Sequence, residues 1–464
     1  MKAIEKTALS EQKEIKRLKK MQGRNDSSKY FFVLLMLIAV VNILDEVTSN
    51  LTVTVQSSFV TEFFVNNPFM GKYYTFQEGL ALHSGVGVFT YVLGIFTPFY
   101  KALADKWGRK PLFVISTLGM ATGLLVIHLS TSYIMFLVGF AIISFFMGHD
   151  IQIIYILEEA PDKHRAKIYS FLKSFGILGV ILIPTLRDML MGDDATKWRE
   201  IFLVPAVIGF IAVLLVVLFA KDTKVFVNER IEYLSRPLAE RQAEKELKKE
   251  QKEAQRNQSG VFNGVKYIFS NKDTKNLIIS HIVFDSAMPA IALYTESSMH
   301  KVGMSTSEIT QALFMVPVVY ATITFLSGFI ADKLGRKITV TGFSITCISG
   351  YCLFVAGILC GWSPYLIGAF AGLYQGSYWI GRDYMNVMMT EKVPTDIRAS
   401  VVGAEGLLVI IGLAVGYLLA IVGMIKFPIW WVCLAISVVA VGVAAIMFAK
   451  GVKETKGANL DEIE

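Results

Sequence analysis

The chain has 464 residues, of which 54 % are hydrophobic and only 18 % are charged, and its formal net charge is +7. Soluble chains carry roughly a quarter charged residues, so this composition excludes an ordinary soluble domain. The basic residues lie in tails and short connections, which points to a membrane surface rather than to nucleic acid.

Long apolar runs dominate the sequence, each about 20 residues long, which is what a helix needs to cross a bilayer. Backbone groups inside lipid must pair within their own segment, so these runs should be helical. We therefore predict an all-α membrane protein whose 12 transmembrane helices form two pseudo-symmetric six-helix bundles. The predicted spans are 30–54, 81–103, 111–130, 132–157, 166–186, 200–220, 276–297, 307–330, 338–360, 363–389, 399–423 and 427–449.

Lysine and arginine are concentrated in alternate connections between these runs, in the long middle loop and in both tails. The positive-inside rule then places both termini and the middle loop in the cytoplasm. The membrane would be a plasma membrane or a bacterial inner membrane. The predicted organisation is a basic tail (1–29), an N-terminal bundle (30–220), a linker (221–275), a C-terminal bundle (276–450) and a short tail (451–464).

An internal repeat relates the two halves. Gly148-His149-Asp150, followed by Glu158, Pro161 and Arg165, matches Gly381-Arg382-Asp383, followed by Glu391, Pro394 and Arg398, with every spacing kept. Each copy lies at the end of a long apolar segment. The repeat indicates an internal duplication that puts charged side chains at matching depths in both halves.

Two short loops carry a further repeated pattern, at 104–110 and 328–337. Each has an Asp, a Gly and then Arg-Lys, and a turn of this kind can clamp neighbouring helix ends. Both loops resemble the signature loop of the major facilitator superfamily, although Lys101 stands where the first copy should have its leading glycine. The Glu-x-x-Pro-x-x-x-Arg pattern and the C-terminal Lys453-Glu454-Thr455-Lys456-Gly457 resemble the sugar-porter and organic-ion branch. The resemblance implies that a network of charges holds a gate closed, with ordinary surface ion pairs as the alternative. Its members would be Asp105, Arg109, Glu158, Arg165, Asp332, Arg336, Glu391 and Arg398.

Polar residues inside the apolar runs are candidates for the transport site, because they are costly in lipid and usually face a cavity. Gln375, Trp379, Arg382 and Asn386 recur on one helix face. Arg382 offers a planar fork that suits a carboxylate, and its alternative role is a structural pair with Asp383 or with an acid of the first or seventh segment. The predicted substrate-binding residues are Arg382, Trp379, Tyr378, Tyr374, Gln375, Asn386, His149, Gln152 and Asn42.

Buried acids outnumber buried cations in these segments, which predicts that at least one acid holds a proton at rest. The candidates for carrying a coupling proton are Asp45, Glu46, Asp150, Asp285 and Asp383. The sequence therefore predicts a proton-coupled symporter that imports a small organic solute, favouring an organic anion. A neutral sugar or polyol symporter is the alternative, followed by an efflux carrier and a non-transporting sensor. We expect no enzyme activity, no cofactor, no metal site and no nucleic-acid partner, and we expect a monomer.

Overall fold

The structure is a computed structural model, and it describes residues 11–20, 22, 28–93, 103, 107–147, 155, 158–160, 165–237, 240–241, 261–394 and 397–456. Within these ranges the chain is helical, apart from turns and one isolated bridge between Phe69 and Lys72. The predicted all-α fold is confirmed.

The helices in chain order are α1 (Ser28–Thr54), α2 (Gln56–Val60), α3 (Phe76–Leu93), α4 (Arg109–His128), α5 (Tyr133–Met147), α6 (Arg165–Gly179), α7 (Leu182–Leu186), α8 (Glu200–Phe219), α9 (Lys224–Ser235), α10 (Val261–Ser270), α11 (Lys272–Asp285), α12 (Met288–Ala292), α13 (Thr295–Lys301), α14 (Thr306–Leu334), α15 (Arg336–Cys360), α16 (Pro364–Glu391), α17 (Arg398–Lys426) and α18 (Ile429–Gly451). Between them lie two short π-helical segments, Thr61–Asn66 and Arg187–Met191, and a short 3-10 helix, Ala195–Arg199. Each of the twelve predicted spans overlaps one or more of these helices. In the described part of the chain, eight helices are long and apolar enough to cross a membrane, and α5 is a shorter apolar helix.

The seventh predicted span, 276–297, is the main departure from the prediction, because α11, α12 and α13 replace one continuous helix. Pro289 lies in the first turn of α12, where proline is tolerated because that amide has no partner within the helix. The breaks on either side of α12 turn the chain between Asp285 and Thr295. Both residues belong to the site described below.

The helices form two compact units. The first contains residues 1–49, 90–179 and 202–254. Its core is built from buried apolar side chains of α1, α4 and α8, among them Leu34, Phe113 and Val216. Small residues allow close helix approach here: a Cβ atom on Gly179 would lie 2.7 Å from a methyl carbon of Ile43.

The second unit contains residues 50–89, 180–201 and 255–464. Glycines bring its helix backbones together, since a Cβ atom on Gly368 of α16 would lie 1.9 Å from the carbonyl oxygen of Ala312 on α14. On α17, a Cβ atom on Gly412 would lie 1.9 Å from the carbonyl oxygen of Ile282 on α11. This packing holds α16 against α14 and α17 against α11. Helices α11, α16 and α17 carry the charged residues of the site described below.

Candidate functional site

Helix α16 presents the polar face that the sequence predicts. It starts with Pro364 at its first turn and runs without a break to Glu391. Tyr374 and Tyr378 are fully buried, and Tyr378 stacks on Phe284 with ring centroids 4.9 Å apart. Asn386 lies one turn beyond Arg382 and is half-buried.

Asp285 is the partner of Arg382. The Nε–H group of Arg382 donates to both carboxylate oxygens of Asp285, at 3.0 and 3.1 Å, and the Tyr378 hydroxyl donates to the same carboxylate at 2.9 Å. Asp285 is 2 % exposed, whereas the Arg382 side chain is 28 % exposed. The Trp379 ring centroid lies 5.5 Å from the Arg382 guanidinium carbon. Of the partners that the sequence left open, the structure selects an acid of the seventh segment, and Asp383 acts on Arg382 electrostatically.

A buried histidine extends this cluster. His281 is fully buried on α11, and its Nδ1 lies 3.0 Å from Glu405 Oε1 on α17. Its Nε2 faces Asp285 Oδ1 at 3.8 Å. Two carboxylates, one imidazole and one guanidinium therefore lie in one chain of contacts from α17 through α11 to α16. We call these four residues, Arg382, Asp285, His281 and Glu405, the charge cluster.

Hydroxyl and amide groups continue the polar face of α16 toward α13. The Gln375 side-chain amide donates to Thr295 Oγ1 at 2.8 Å, and the Tyr374 hydroxyl lies 2.5 Å from the same oxygen. Tyr374, Gln375, Tyr378 and Arg382 thus line a continuous polar path on one helix.

The other predicted site residues fall into two groups. Asn42, Asp45 and Glu46 lie on α1 in the first unit and are half-buried. A Cβ atom on Gly176 of α6 would lie 3.3 Å from Glu46 Cγ, so these helices pack closely at that depth. His149, Asp150 and Gln152 lie outside the described residues.

In the first unit, the predicted gate residues Arg109 and Glu158 form an ion pair. Arg109 Nη2 lies 2.7 Å from Glu158 Oε1, and its Nε–H lies 3.1 Å from both carboxylate oxygens. The Thr223 hydroxyl donates to the same carboxylate. Gly108, with φ of +96°, forms the bend, and Asp222 accepts the Lys110 backbone N–H at 2.9 Å. Burial raises the pKa of Asp222, although the backbone amide and charge of Lys110 oppose that shift. Asp105 and the side chain of Arg165 lie outside the described residues.

The second unit repeats this arrangement. Arg336 Nε lies 3.5 Å from Glu391 Oε1, and Arg336 Nη1 lies 3.8 Å from Asp332 Oδ1. The Thr455 hydroxyl donates to the Glu391 carboxylate. Gly335 bends the chain with φ of +97°. Arg398 instead donates to the Val393 carbonyl, at 3.1 and 3.3 Å.

Glu454 occupies the place that Asp222 has in the first unit. It accepts the backbone N–H groups of Arg336, Lys337, Thr455 and Lys456 at 2.9–3.0 Å. Burial alone would raise its pKa, but these four donors lower it below the usual value.

Sequence reasoning missed the capping acids and the histidine–glutamate pair. A signal for the caps was present, because Lys221-Asp222-Thr223-Lys224 and Lys453-Glu454-Thr455-Lys456 are a second repeated motif, each just after the last helix of a predicted bundle. The pair of His281 with Glu405 had no such signal, since only the crossing of α11 and α17 brings the two residues together.

Known proteins resemble this chain along most of its length. Residues 35–408 match the family model described as Major Facilitator Superfamily. A cis,cis-muconate transport protein of Acinetobacter baylyi is 27 % identical over 322 residues, which cover 64 % of this chain and 68 % of that protein. A glucose transporter of Staphylococcus epidermidis is 23 % identical over 377 residues, which cover 78 % and 83 %. The crystal structure of a D-xylose-proton symporter superposes with a TM-score of 0.64 at 17 % identity, covering 92 % of this chain and 99 % of that one.

Proposed function

The chain belongs to the major facilitator superfamily, and on that premise we propose that it is a proton-coupled symporter that imports a small organic carboxylate. The family assignment confirms the resemblance inferred from the two signature loops and makes the chain a membrane transporter rather than an enzyme. The observation that carries the finer proposal is the pairing of a partly exposed Arg382 with a buried Asp285 inside the charge cluster.

Arg382 has donors to spare for a solute. Its Nε–H is engaged with Asp285, while its two terminal amino groups donate to none of the described residues. A guanidinium fork binds a carboxylate through two parallel hydrogen bonds. Trp379, half-buried beside the guanidinium, would cover the apolar part of the bound molecule, and Gln375 would hydrogen-bond its far end.

The charge count supports proton coupling. With a neutral imidazole, Arg382 contributes +1 and Asp285 and Glu405 contribute −1 each, so the charge cluster is left with one surplus negative charge. Uncompensated charge inside a membrane protein is costly, and one added proton on His281 or an acid removes it. A solute carboxylate on Arg382 would add a further negative charge, which a second proton on Asp285 would offset. Proton and solute would then favour each other's binding, which is the coupling that symport needs.

The names of the similar proteins support two different classes of solute. The muconate transport protein supports a carboxylate, because muconate is an organic acid anion. The glucose transporter and the xylose–proton symporter favour the second candidate, a neutral sugar or polyol carried with a proton. In that case Trp379 and Gln375 would hold the sugar ring and Arg382 would only neutralise Asp285.

Uptake by proteoliposomes distinguishes the two candidates. The wild-type protein is given radiolabelled acids and sugars with and without an inward proton gradient, alongside Arg382→Lys, Arg382→Gln and the control Lys426→Gln, which removes an exposed cation. Losing a hydrogen-bonded charged partner costs about 2–5 kcal/mol, so Arg382→Gln should weaken carboxylate binding roughly 30-fold or more. Gradient-driven uptake of an acid that survives Arg382→Gln would refute the carboxylate proposal, and uptake of a sugar alone would establish the second candidate.

A further inference from the structure

A cavity lies in the second unit, and its lining includes none of the four residues of the charge cluster. It has a volume of about 400 Å³, within the range of small-molecule sites, and hydroxyl and charged side chains dominate its lining. The residues that matter here are Ser57, Glu62, Arg187, Arg199, Glu296 and His300. These residues follow α1, α7 and α12, at the ends that the positive-inside pattern assigns to the outer face.

Arg187 is a deeply buried cation of this lining, because the residue is only 1 % exposed. Its Nε–H donates to Thr310 Oγ1 at 3.2 Å, and its Nη1 donates to the Thr54 carbonyl. The other amino group, Nη2, donates to none of the described residues, and no described carboxylate lies within ion-pair distance of Arg187. A buried guanidinium with an unused donor beside a polar cavity is a natural anchor for an anion.

Three other charged residues of the cavity, Arg199, Glu62 and Glu296, already have hydrogen-bond partners within the protein. Arg199 and Glu62 satisfy each other through hydrogen bonds of 2.6 and 2.7 Å, and the Trp198 indole N–H also donates to Glu62. Glu296 is 1 % exposed and accepts the Ser57 backbone N–H at 2.9 Å and the Ser57 hydroxyl. Its charge acts on Arg187 across the cavity, although the two side chains do not form an ion pair.

We propose that this cavity is a binding site for a small anion, which Arg187 anchors when Glu296 takes up a proton. While Glu296 is ionised, it balances the charge of Arg187 and repels an incoming anion. Protonation removes that negative charge and leaves Arg187 to attract one. The anion is either the carboxylate group of a small organic acid or an inorganic anion such as chloride. This site does not depend on which solute Arg382 binds.

The groups that face Glu296 decide how binding changes with pH. They are Arg187 after α7, Ser57 on α2, His300 on the same helix as Glu296, and the Glu62–Arg199 pair. Protonation of Glu296 or of His300 would each make the cavity more positive, so the two must be separated by substitution. Glu296→Gln imitates the protonated acid and should make anion binding tighter and independent of pH. His300→Gln should leave the dependence on pH in place.

Cysteine protection tests the site. Thr306 lines the cavity and is half-buried, so Thr306→Cys in the full-length protein can be labelled with methanethiosulfonate reagents. Fields in a charged cleft change encounter rates by about tenfold or more. The sulfonate reagent should therefore react about tenfold faster than the trimethylammonium reagent at pH 5.5, and Arg187→Gln should abolish the difference. Acetate and chloride are then added separately as protecting ligands, in the wild-type background and in Arg382→Gln, which removes the other anion candidate.

The outcomes are distinct. Protection by acetate alone identifies a carboxylate site, and protection by chloride identifies an inorganic-anion site; both should persist in Arg382→Gln. Protection that is absent, or that is equal in the wild-type protein and Arg187→Gln, overturns the proposal. If Arg187→Gln does not fold, Glu296→Gln is the deciding variant. If its labelling rates and its protection by anions at pH 8 equal those of the protein with Glu296 intact, the proposal is overturned.

Discussion

Replacing Asp285 by Asn tests whether the charge cluster is held together by its charges. The side chain keeps its shape but loses the charge that balances Arg382, leaving a guanidinium that is only 28 % exposed without its counter-ion. Breaking a buried ion pair costs about 3–5 kcal/mol. Because Arg382 is partly exposed, solvent screens part of that loss, and we expect a fall of about 3 kcal/mol in the free energy of unfolding. Chemical denaturation in bicelles or thermal unfolding in nanodiscs would measure it.

The double variant Asp285→Asn/Arg382→Gln provides the critical comparison. Removing both charges leaves no uncompensated ion, so the double variant should recover about 1–3 kcal/mol relative to Asp285→Asn, although neither variant should transport. Asp332→Asn serves as the matched control, since it also removes an acid beside an arginine, but Asp332 is 84 % exposed and the pair should contribute less than about 1 kcal/mol. If the double variant is no more stable than Asp285→Asn, or if the two Asp→Asn variants lose equal stability, charge balance does not hold the charge cluster together.

Three further predictions concern other parts of the molecule. His281→Gln should abolish solute accumulation driven by a proton gradient, while exchange of labelled for unlabelled solute continues. Uptake and counterflow assays in proteoliposomes would measure the two activities. Loss of both would contradict the idea that His281 acts only in proton transfer. The folded-state pKa of Glu454 lies below its unfolded value, so its contribution to stability is complete at neutral pH and is lost as the pH falls through the folded pKa. Glu454→Gln should therefore make the free energy of unfolding less dependent on pH at acidic pH. An unchanged dependence would count against the cap. Gly412→Ala should destabilise the protein by about 1–3 kcal/mol, because the new methyl group would meet the Ile282 carbonyl. Its control in thermal unfolding is Gly406→Ala on the same helix. The methyl group of that variant meets nothing within 4 Å, so the substitution should be neutral or slightly stabilising.

The features that were predictable from sequence are those written in local patterns. Apolar runs fixed the positions of the helices, and the repeated Gly-Arg-Lys turns predicted the bends that the structure has at Gly108 and Gly335. Helical spacing put Arg382 and Trp379 on one face of α16, and they lie together there.

Contacts between distant segments were not predictable in the same way. The sequence left several acids open as partners of Arg382, because adjacent side chains on a helix diverge by about 100° and the crossing of α16 with α11 is not encoded locally. Asp285 and Arg382 are 97 positions apart, and Glu454 reaches Arg336 over 118. The break of the seventh segment was only hinted at by Pro289, although it determines where Asp285 and Thr295 face.

The caps at Asp222 and Glu454 bear on where the polypeptide can be interrupted. Each of these acids lies just beyond the sixth apolar segment of its half and binds back to the bend between the second and third segments of the same half. The contact of Asp222 with Lys110 lies wholly before positions 242–260, and the contact of Glu454 with Arg336 lies wholly after them. A break in the chain within 242–260 would sever neither contact, so each of two co-expressed fragments would keep its own cap. A truncation that ends before Glu454 would instead remove the hydrogen bonds that Glu454 accepts from Arg336 and Lys337 beside Gly335.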